Sequence, residues 1–147
     1  MRILITLGLL LGLSFALPTG VLAADTMIDM LNKRDDGAKM VYSQDIATID
    51  VGDTILWLPT NKGHNVEFIA GPEGWEAPKK SKLGKEYSYT FDTPGVYLYQ
   101  CTPHKSMGMI AIVVVGDLTQ EGVDAIRDTK MKGKSKKKFK QLLAELP

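Results

Sequence analysis

The chain has 147 residues, of which 44% are hydrophobic and 24% charged, and its formal net charge is +1 at pH 7. A single cysteine excludes an intramolecular disulfide, and the near-zero charge excludes a uniform electrostatic field that would steer a partner. Any electrostatic function must therefore depend on how the charges are distributed over the surface.

The first 23 residues have the form of a secretory signal. Arg2 gives a positive start, residues 3–17 are almost wholly apolar, and Val21-Leu22-Ala23 is a small-residue cleavage site. An uncleaved membrane anchor is the alternative, but the apolar run is shorter than the roughly 20 residues that span a bilayer. We therefore predict cleavage after Ala23, with no membrane attachment of the mature chain.

The mature chain would have 124 residues, enough for one domain with a core of its own. It would carry 17 basic and 17 acidic side chains, because Arg2 is the only charged residue of the signal. Export also bears on Cys101, since a free thiol outside the cytoplasm is oxidised unless it is buried or coordinated. This favours a metal ligand at Cys101.

Residues 24–116 are predicted to form one antiparallel β-sandwich or barrel. Short β-branched and aromatic runs alternate there with Gly, Pro, Asn and Asp, which is typical of all-β domains. The run 109–115 is apolar on both faces and indicates an interior strand, whereas alternation in 86–91 indicates a strand with one buried face. The predicted strands are 27–31, 48–49, 54–58, 65–69, 86–91, 95–101 and 109–115.

Residues 117–147 are predicted to form a helical extension packed on the sandwich. Thr119 can cap a helix that ends near Lys130, and Ser135 can cap another that ends at Leu146. Seven lysines lie between Lys130 and Lys140 and are expected mostly on the outer face. The expected apolar stripes are Val123 with Ile126 and Phe139 with Leu142 and Leu143.

One short segment brings together a thiolate, an imidazole and a thioether. Cys101 precedes His104 by three residues and Met109 by eight, so strands on either side would fix Cys101 and Met109 while the loop supplies His104. His64 is the one other histidine and would come from another loop. Two imidazoles, one thiolate and a weak axial thioether form the ligand set of a blue-copper centre.

Three other interpretations of these residues fit the sequence less well than copper. Zinc sites usually have more sulfur, more histidine or a carboxylate, a lone buried cysteine is often a small hydrophobe, and a Cys–His nucleophile would need an orienting group. Met107 is a second candidate for the axial ligand. Met109 is preferred because it begins a strand, whereas Met107 is expected to be an apolar surface contact.

The chain resembles the pseudoazurins, cupredoxins of bacterial periplasms. The likeness rests on Gly63-His64-Asn65-Val66-Glu67, on Cys101-Thr102-Pro103-His104 with Met107-Gly108-Met109, and on the two helices after the last strand. It implies an eight-stranded Greek-key β-sandwich with two C-terminal α-helices and one type 1 copper per chain. The implied ligands are His64, Cys101, His104 and Met109.

The resemblance also implies roles for four residues around the ligands. Asn65 would bond toward Thr102, Pro103 would remove a backbone donor near the cysteine sulfur, and Met40 would pack by the His104 ring. Two positions depart from the family pattern. Gln100 stands where lysine is frequent, and Lys105 stands where an aromatic residue is frequent.

The predicted function is periplasmic electron transfer by a monomer that uses the Cu(II)/Cu(I) couple and is not an enzyme. The implied partners are redox proteins such as nitrite reductase or a c-type cytochrome, with no nucleic acid. They would dock on apolar Pro103 and Met107 near His104, inside a basic rim of lysines. The rim residues are Lys33, Lys62, Lys79, Lys80 and Lys105. A copper chaperone or storage module is the alternative function.

Overall fold

The computed structural model describes residues 25–146, so the predicted signal at residues 1–23 lies outside the described residues. Eight strands are followed by two helices, and a short 3₁₀ turn, Thr102–His104, separates the last two strands. The strands are β1 (Asp25–Lys33), β2 (Lys39–Tyr42), β3 (Ile46–Ile49), β4 (Thr54–Leu58), β5 (Glu67–Ala70), β6 (Tyr87–Thr90), β7 (Gly95–Gln100) and β8 (Ile110–Val115); the helices are α1 (Gln120–Arg127) and α2 (Lys134–Glu145). Within residues 25–146, neither helix has the length and apolarity that crossing a bilayer demands.

The strands form two four-stranded sheets. One has the order β2-β1-β4-β6 and the other the order β3-β8-β7-β5. β1 pairs with β4 and β3 with β8 in parallel, and the remaining pairs are antiparallel. The predicted Greek-key β-sandwich with two C-terminal helices is confirmed, but its sheets are mixed, whereas purely antiparallel strands were expected from the sequence.

An aromatic core fills the space between the sheets. Trp57 lies at its centre, with ring centroids 5.9 Å from Phe68 and 5.3 Å from Tyr99. The same buried cluster contains Cys101 and Met109, so two of the predicted ligands are at one end of the hydrophobic core. Burial of this size is the main stabilising contribution to the fold and gives the site a stiff support.

A second apolar layer lies between the helices and the outer face of the sheet β3-β8-β7-β5. Val123 and Ile126 of α1 and Phe139 and Leu142 of α2 are buried there, while Leu143 is only partly buried. They cover apolar side chains of β7 and β8, namely Val96, Leu98, Ile110, Ile112 and Val114. The prediction that the last strand is interior is confirmed, because β8 lies between β3 and β7 and all its residues are buried.

Two local predictions are wrong or incomplete. Strand β2 was not predicted, because four residues that pair only with β1 carry too short a pattern to detect. Thr119 does cap α1 by accepting a hydrogen bond from the Gly122 N–H, but Ser135 does not cap α2. The cap position belongs to Gly133, whose φ of 57° is a left-handed conformation, since the Ser135 hydroxyl donates elsewhere.

Candidate metal centre

Two loops at one end of the sandwich hold the predicted ligands. His64 lies in the connection between β4 and β5, and Cys101 and His104 lie in the connection between β7 and β8. The Cys101 N–H donates to the Met109 carbonyl at 2.9 Å, which continues the β7–β8 ladder across both residues. The 3₁₀ turn then folds His104 back over Cys101, with the His104 N–H donating to the Cys101 carbonyl at 3.1 Å.

The donor atoms of three residues converge on one point. The Nδ1 atoms of His64 and His104 are 3.2 Å apart, and Sγ of Cys101 is 3.8 Å from the first and 3.4 Å from the second. Three such ligands spaced evenly around one ion, at bond lengths of about 2.0–2.3 Å, would be about 3.5–3.8 Å apart. The triangle therefore fits a single metal ion, and its N₂S donor set fits copper.

The two methionines of the loop have different environments. Met109 is fully buried beside Cys101, whereas Met107 is 46% exposed. Burial against the ladder suits an axial thioether, and exposure suits an apolar contact with another molecule. This difference supports Met109 over Met107 as the axial ligand. Met109 does not begin the strand as predicted, because β8 begins one residue later at Ile110.

A side chain from β1 fixes the orientation of the His64 ring. Asn32 Oδ1 lies 2.8 Å from His64 Nε2 and can only accept, so that nitrogen carries the proton and Nδ1 keeps its lone pair. Burial, together with neighbouring His104, lowers the pKa of His64 and favours the neutral ring. A neutral imidazole with a free Nδ1 is the form that binds a metal.

The Cys101 thiol is buried at the edge of the core. Burial raises its pKa, and backbone hydrogen bonds from Asn65 and His104 partly oppose that rise. In the metal-free protein the sulfur therefore holds its proton, which it must release when it binds copper.

Asn65 joins the two ligand loops. Its Oδ1 accepts from the Thr102 N–H at 2.8 Å, and its Nδ2 donates to Thr102 Oγ1 at 3.0 Å and to the Ser81 carbonyl at 3.2 Å. The amide is buried, so each of these bonds satisfies a group that water does not reach. Because Asn65 follows His64 and Thr102 follows Cys101, the bonds restrain both ligands at once.

The first residues of α2 form hydrogen bonds to the opposite side of the loop that contains His104. The Ser135 hydroxyl donates to the Lys105 carbonyl at 2.6 Å, and the Lys134 N–H donates to the Ser106 carbonyl at 2.9 Å. Lys105 and Ser106 follow His104 directly. The loop is therefore bonded to Asn65 at its beginning and to α2 in its middle.

The remaining residues predicted around the ligands have more varied positions. Pro103 is exposed within the 3₁₀ turn, where it has no backbone N–H to donate. Met40 is partly buried against the core cluster that contains Cys101 and Met109. Its contact with the His104 ring stays a prediction.

The five lysines of the predicted rim are exposed, and each lies close in sequence to a residue at the site. Lys33 follows Asn32, Lys62 precedes His64 by two residues, and Lys105 follows His104. Lys79 and Lys80 precede Ser81, whose carbonyl accepts from Asn65.

Three residues at the site were missed by sequence reasoning. Asn32 orients His64, Ser81 bonds both to Asn65 and to the Val66 N–H, and Glu67 accepts from Thr102. Each acts across a long sequence separation. Glu67 lies within the quoted motif, yet nothing local indicates its partner.

The family model of copper binding proteins of the plastocyanin/azurin family matches residues 28–116. The sandwich and the donor triangle thus define a cupredoxin. The pseudoazurin of Paracoccus pantotrophus is 41% identical over 126 residues, which cover 84% of this chain and 85% of that protein. That of Methylorubrum extorquens is 37% identical over 138 residues and 91% of both chains.

Solved structures agree with these relatives. The crystal structure of pseudoazurin from Methylobacterium extorquens AM1 superposes with a TM-score of 0.77 at 36% identity and covers 84% of this chain and 100% of that one. The chain belongs to the pseudoazurins of the plastocyanin/azurin family of copper-binding proteins. It is accordingly a blue-copper electron-transfer protein rather than an enzyme, with copper as its cofactor.

Proposed function

We propose that the protein carries single electrons between redox proteins of the bacterial periplasm. One type 1 copper per chain would be held by His64, Cys101, His104 and Met109. The observation that carries the proposal is the triangle of two imidazole nitrogens and one thiol sulfur, with sides of 3.2–3.8 Å, set against buried Met109.

Bound copper supplies the Cu(II)/Cu(I) couple. The protein supplies donors that move little when the charge of the ion changes, because ladder, amide and helix contacts hold the loop from three directions. His104 is half-buried, whereas His64 is fully buried, so the edge of His104 is the proposed point of electron entry and exit.

The proposed docking surface surrounds that edge. Pro103 and Met107 provide an apolar centre, and the rim lysines Lys33, Lys62, Lys79, Lys80 and Lys105 attract an acidic partner. Nitrite reductase or a c-type cytochrome is the proposed partner, and the carrier itself is proposed to act as a monomer. Export through the signal at residues 1–23 would deliver the chain to the compartment of these partners.

A copper chaperone or store is not favoured. Such a protein must release its ion readily, whereas Cys101, Met109 and His64 are fully buried. A competition assay with a copper chelator separates the two functions, because we expect slow and incomplete loss of copper from an electron carrier.

The visible spectrum after addition of Cu(II) tests the site. We expect intense thiolate-to-copper absorption in the wild type, its loss in Cys101→Ser, and a shifted spectrum in Met109→Gln. Met107→Gln is the matched control and should leave the spectrum nearly unchanged. A colourless wild-type protein, or a larger change in Met107→Gln than in Met109→Gln, would contradict the assignment.

A further inference from the structure

We propose that Glu67 is a positioning residue that orients the bonds between the two ligand loops and whose negative charge favours Cu(II) over Cu(I). The inference deepens the proposed function and depends on it. Glu67 is the first residue of β5 and stands opposite Gln100 of β7 in the antiparallel register. It is therefore beside the strand end that carries Cys101.

Glu67 is the final acceptor of a series of hydrogen bonds in which the donors and acceptors are fixed. Its Oε2 accepts from Gln100 Nε2 at 2.9 Å and from the Thr102 hydroxyl at 3.0 Å. Because that hydroxyl donates its hydrogen to Glu67, its oxygen accepts from Asn65 Nδ2 at 3.0 Å. This sets the Asn65 amide so that Oδ1 receives the Thr102 N–H. The carboxylate thus determines the direction of the Thr102 hydroxyl and, together with the Ser81 carbonyl, the orientation of the Asn65 amide.

Among residues 25–146, the side chains that donate hydrogen bonds to Glu67 are the neutral groups of Gln100 and Thr102. No Lys, Arg or His nitrogen of residues 25–146 forms a salt bridge with it. The side chain is half-buried, so water screens it less than an exposed carboxylate. A fixed negative charge beside a metal stabilises its more positive state, and the effect is a lower reduction potential.

The test is the reduction potential of the copper-loaded protein. Glu67→Gln removes the charge while keeping an acceptor for Thr102, and Gln100→Lys keeps Glu67 but places a cation beside it. For both we expect the equilibrium constant for reduction by a fixed donor to rise about three- to tenfold, where tenfold equals about 59 mV for one electron. Thiolate-to-copper absorption should be retained.

Glu73→Gln is the matched control, because it removes an exposed carboxylate in the loop beyond the far end of β5. Its potential should equal that of the wild type. A second measurement uses the copper-free protein. In Glu67→Ala the Thr102 amide should exchange with deuterium about three- to tenfold faster, whereas Glu67→Gln should leave that rate nearly unchanged.

The outcomes are distinguishable. A wild-type protein without a reversible copper couple would refute the proposed electron transfer. A reversible wild type with unshifted potentials in Glu67→Gln and Gln100→Lys, or an equal shift in Glu73→Gln, would overturn the role of the Glu67 charge. Unchanged Thr102 exchange in Glu67→Ala would overturn its role in orientation.

Discussion

At the scale of single residues, neighbouring amides support the predicted ligands. Asn32 orients His64 from β1, and Asn65 bonds to Thr102 and Ser81. A neutral amide both donates and accepts, so it can join backbone groups of two loops without adding charge beside the metal. Amides can therefore fix the geometry while leaving the charge of the centre to other residues.

Asn65→Ala should destabilise the copper-free protein by about 2–4 kcal/mol. The change removes three hydrogen bonds and leaves the Thr102 N–H and the Ser81 carbonyl without their partner in a buried region. Urea unfolding followed by tryptophan fluorescence measures the loss. Asn61→Ala is the matched control, since Asn61 accepts one bond from the Asn32 N–H in an exposed setting and should cost about 1 kcal/mol or less. Equal losses in the two variants would contradict the importance of burial at Asn65.

The grouping of Cys101, His104 and Met109 could be predicted because these residues are close together in the sequence. A connection of only nine residues between the end of β7 and the start of β8 leaves few arrangements of those side chains. Asn32 could not be predicted in this way, since it reaches His64 across 32 positions and depends on the parallel pairing of β1 with β4. A long-range hydrogen bond of this kind leaves no pattern in a single sequence.

At the scale of elements, Asp45 links α2 to the sheet. Its carboxylate accepts from Lys138 of α2 at 2.6 Å and from Arg34, just after β1, at 3.0 Å. Burial raises the pKa of Asp45, but the hydrogen bonds from Arg34 and Lys138 outweigh it and hold the pKa below its ordinary value. Lys138 is consequently half-buried, unlike the other six lysines between Lys130 and Lys140, which are exposed.

Asp45→Asn should destabilise the protein by about 1–2 kcal/mol at neutral pH. Because the folded pKa is below the unfolded value of about 3.9, the stabilisation is present above that value and is lost as the pH falls through the folded pKa. The difference in unfolding free energy between wild type and variant should therefore shrink below about pH 4. Urea titrations at pH 7 and pH 3 measure it.

Asp124→Asn provides the control, because Asp124 pairs with Arg127 on the exposed side of α1. Its unfolding midpoint at pH 7 should match that of the wild type. A variant of Asp45 whose deficit persists unchanged at pH 3 would show that the link is not an ion pair.

Helices and strands with a clear pattern of apolar residues could be predicted, whereas features that depend on contacts with another element could not. Strand β4 and the buried faces of α1 follow directly from their apolar residues. Strand β2 exists because β1 offers a free edge, and the cap of α2 lies at Gly133 because the Ser135 hydroxyl bonds to Lys105. Both depend on tertiary contacts that override local preference.

At the scale of the whole molecule, the placement of charge matters more than its sum. The mature chain is predicted to be neutral, yet five exposed lysines adjoin residues at the site. Exposed charges are screened over about 8 Å at physiological ionic strength, so they act mainly while a partner approaches. The rim is therefore expected to govern the rate of association.

Stopped-flow oxidation by an acidic partner such as a nitrite reductase tests this expectation. The second-order rate constant of the wild type should fall severalfold as salt is raised, and Lys80→Glu should lower it about two- to tenfold at low salt. Lys140→Glu, on the exposed side of α2, is the matched control with a much smaller effect. Rates independent of salt would contradict the proposed rim.

The hydrogen bonds from α2 to the loop after His104 affect which residues near the metal centre can be substituted during evolution. Ser135 and Lys134 hold the backbone of Lys105 and Ser106 by hydrogen bonds. The exposed side chains of Lys105 and Ser106 are therefore not needed to keep the loop in place. Substitutions of these exposed side chains would change the proposed docking surface without displacing the copper ligands. The C-terminal helices, which are not expected to supply a copper ligand, thereby allow the proposed docking surface to vary.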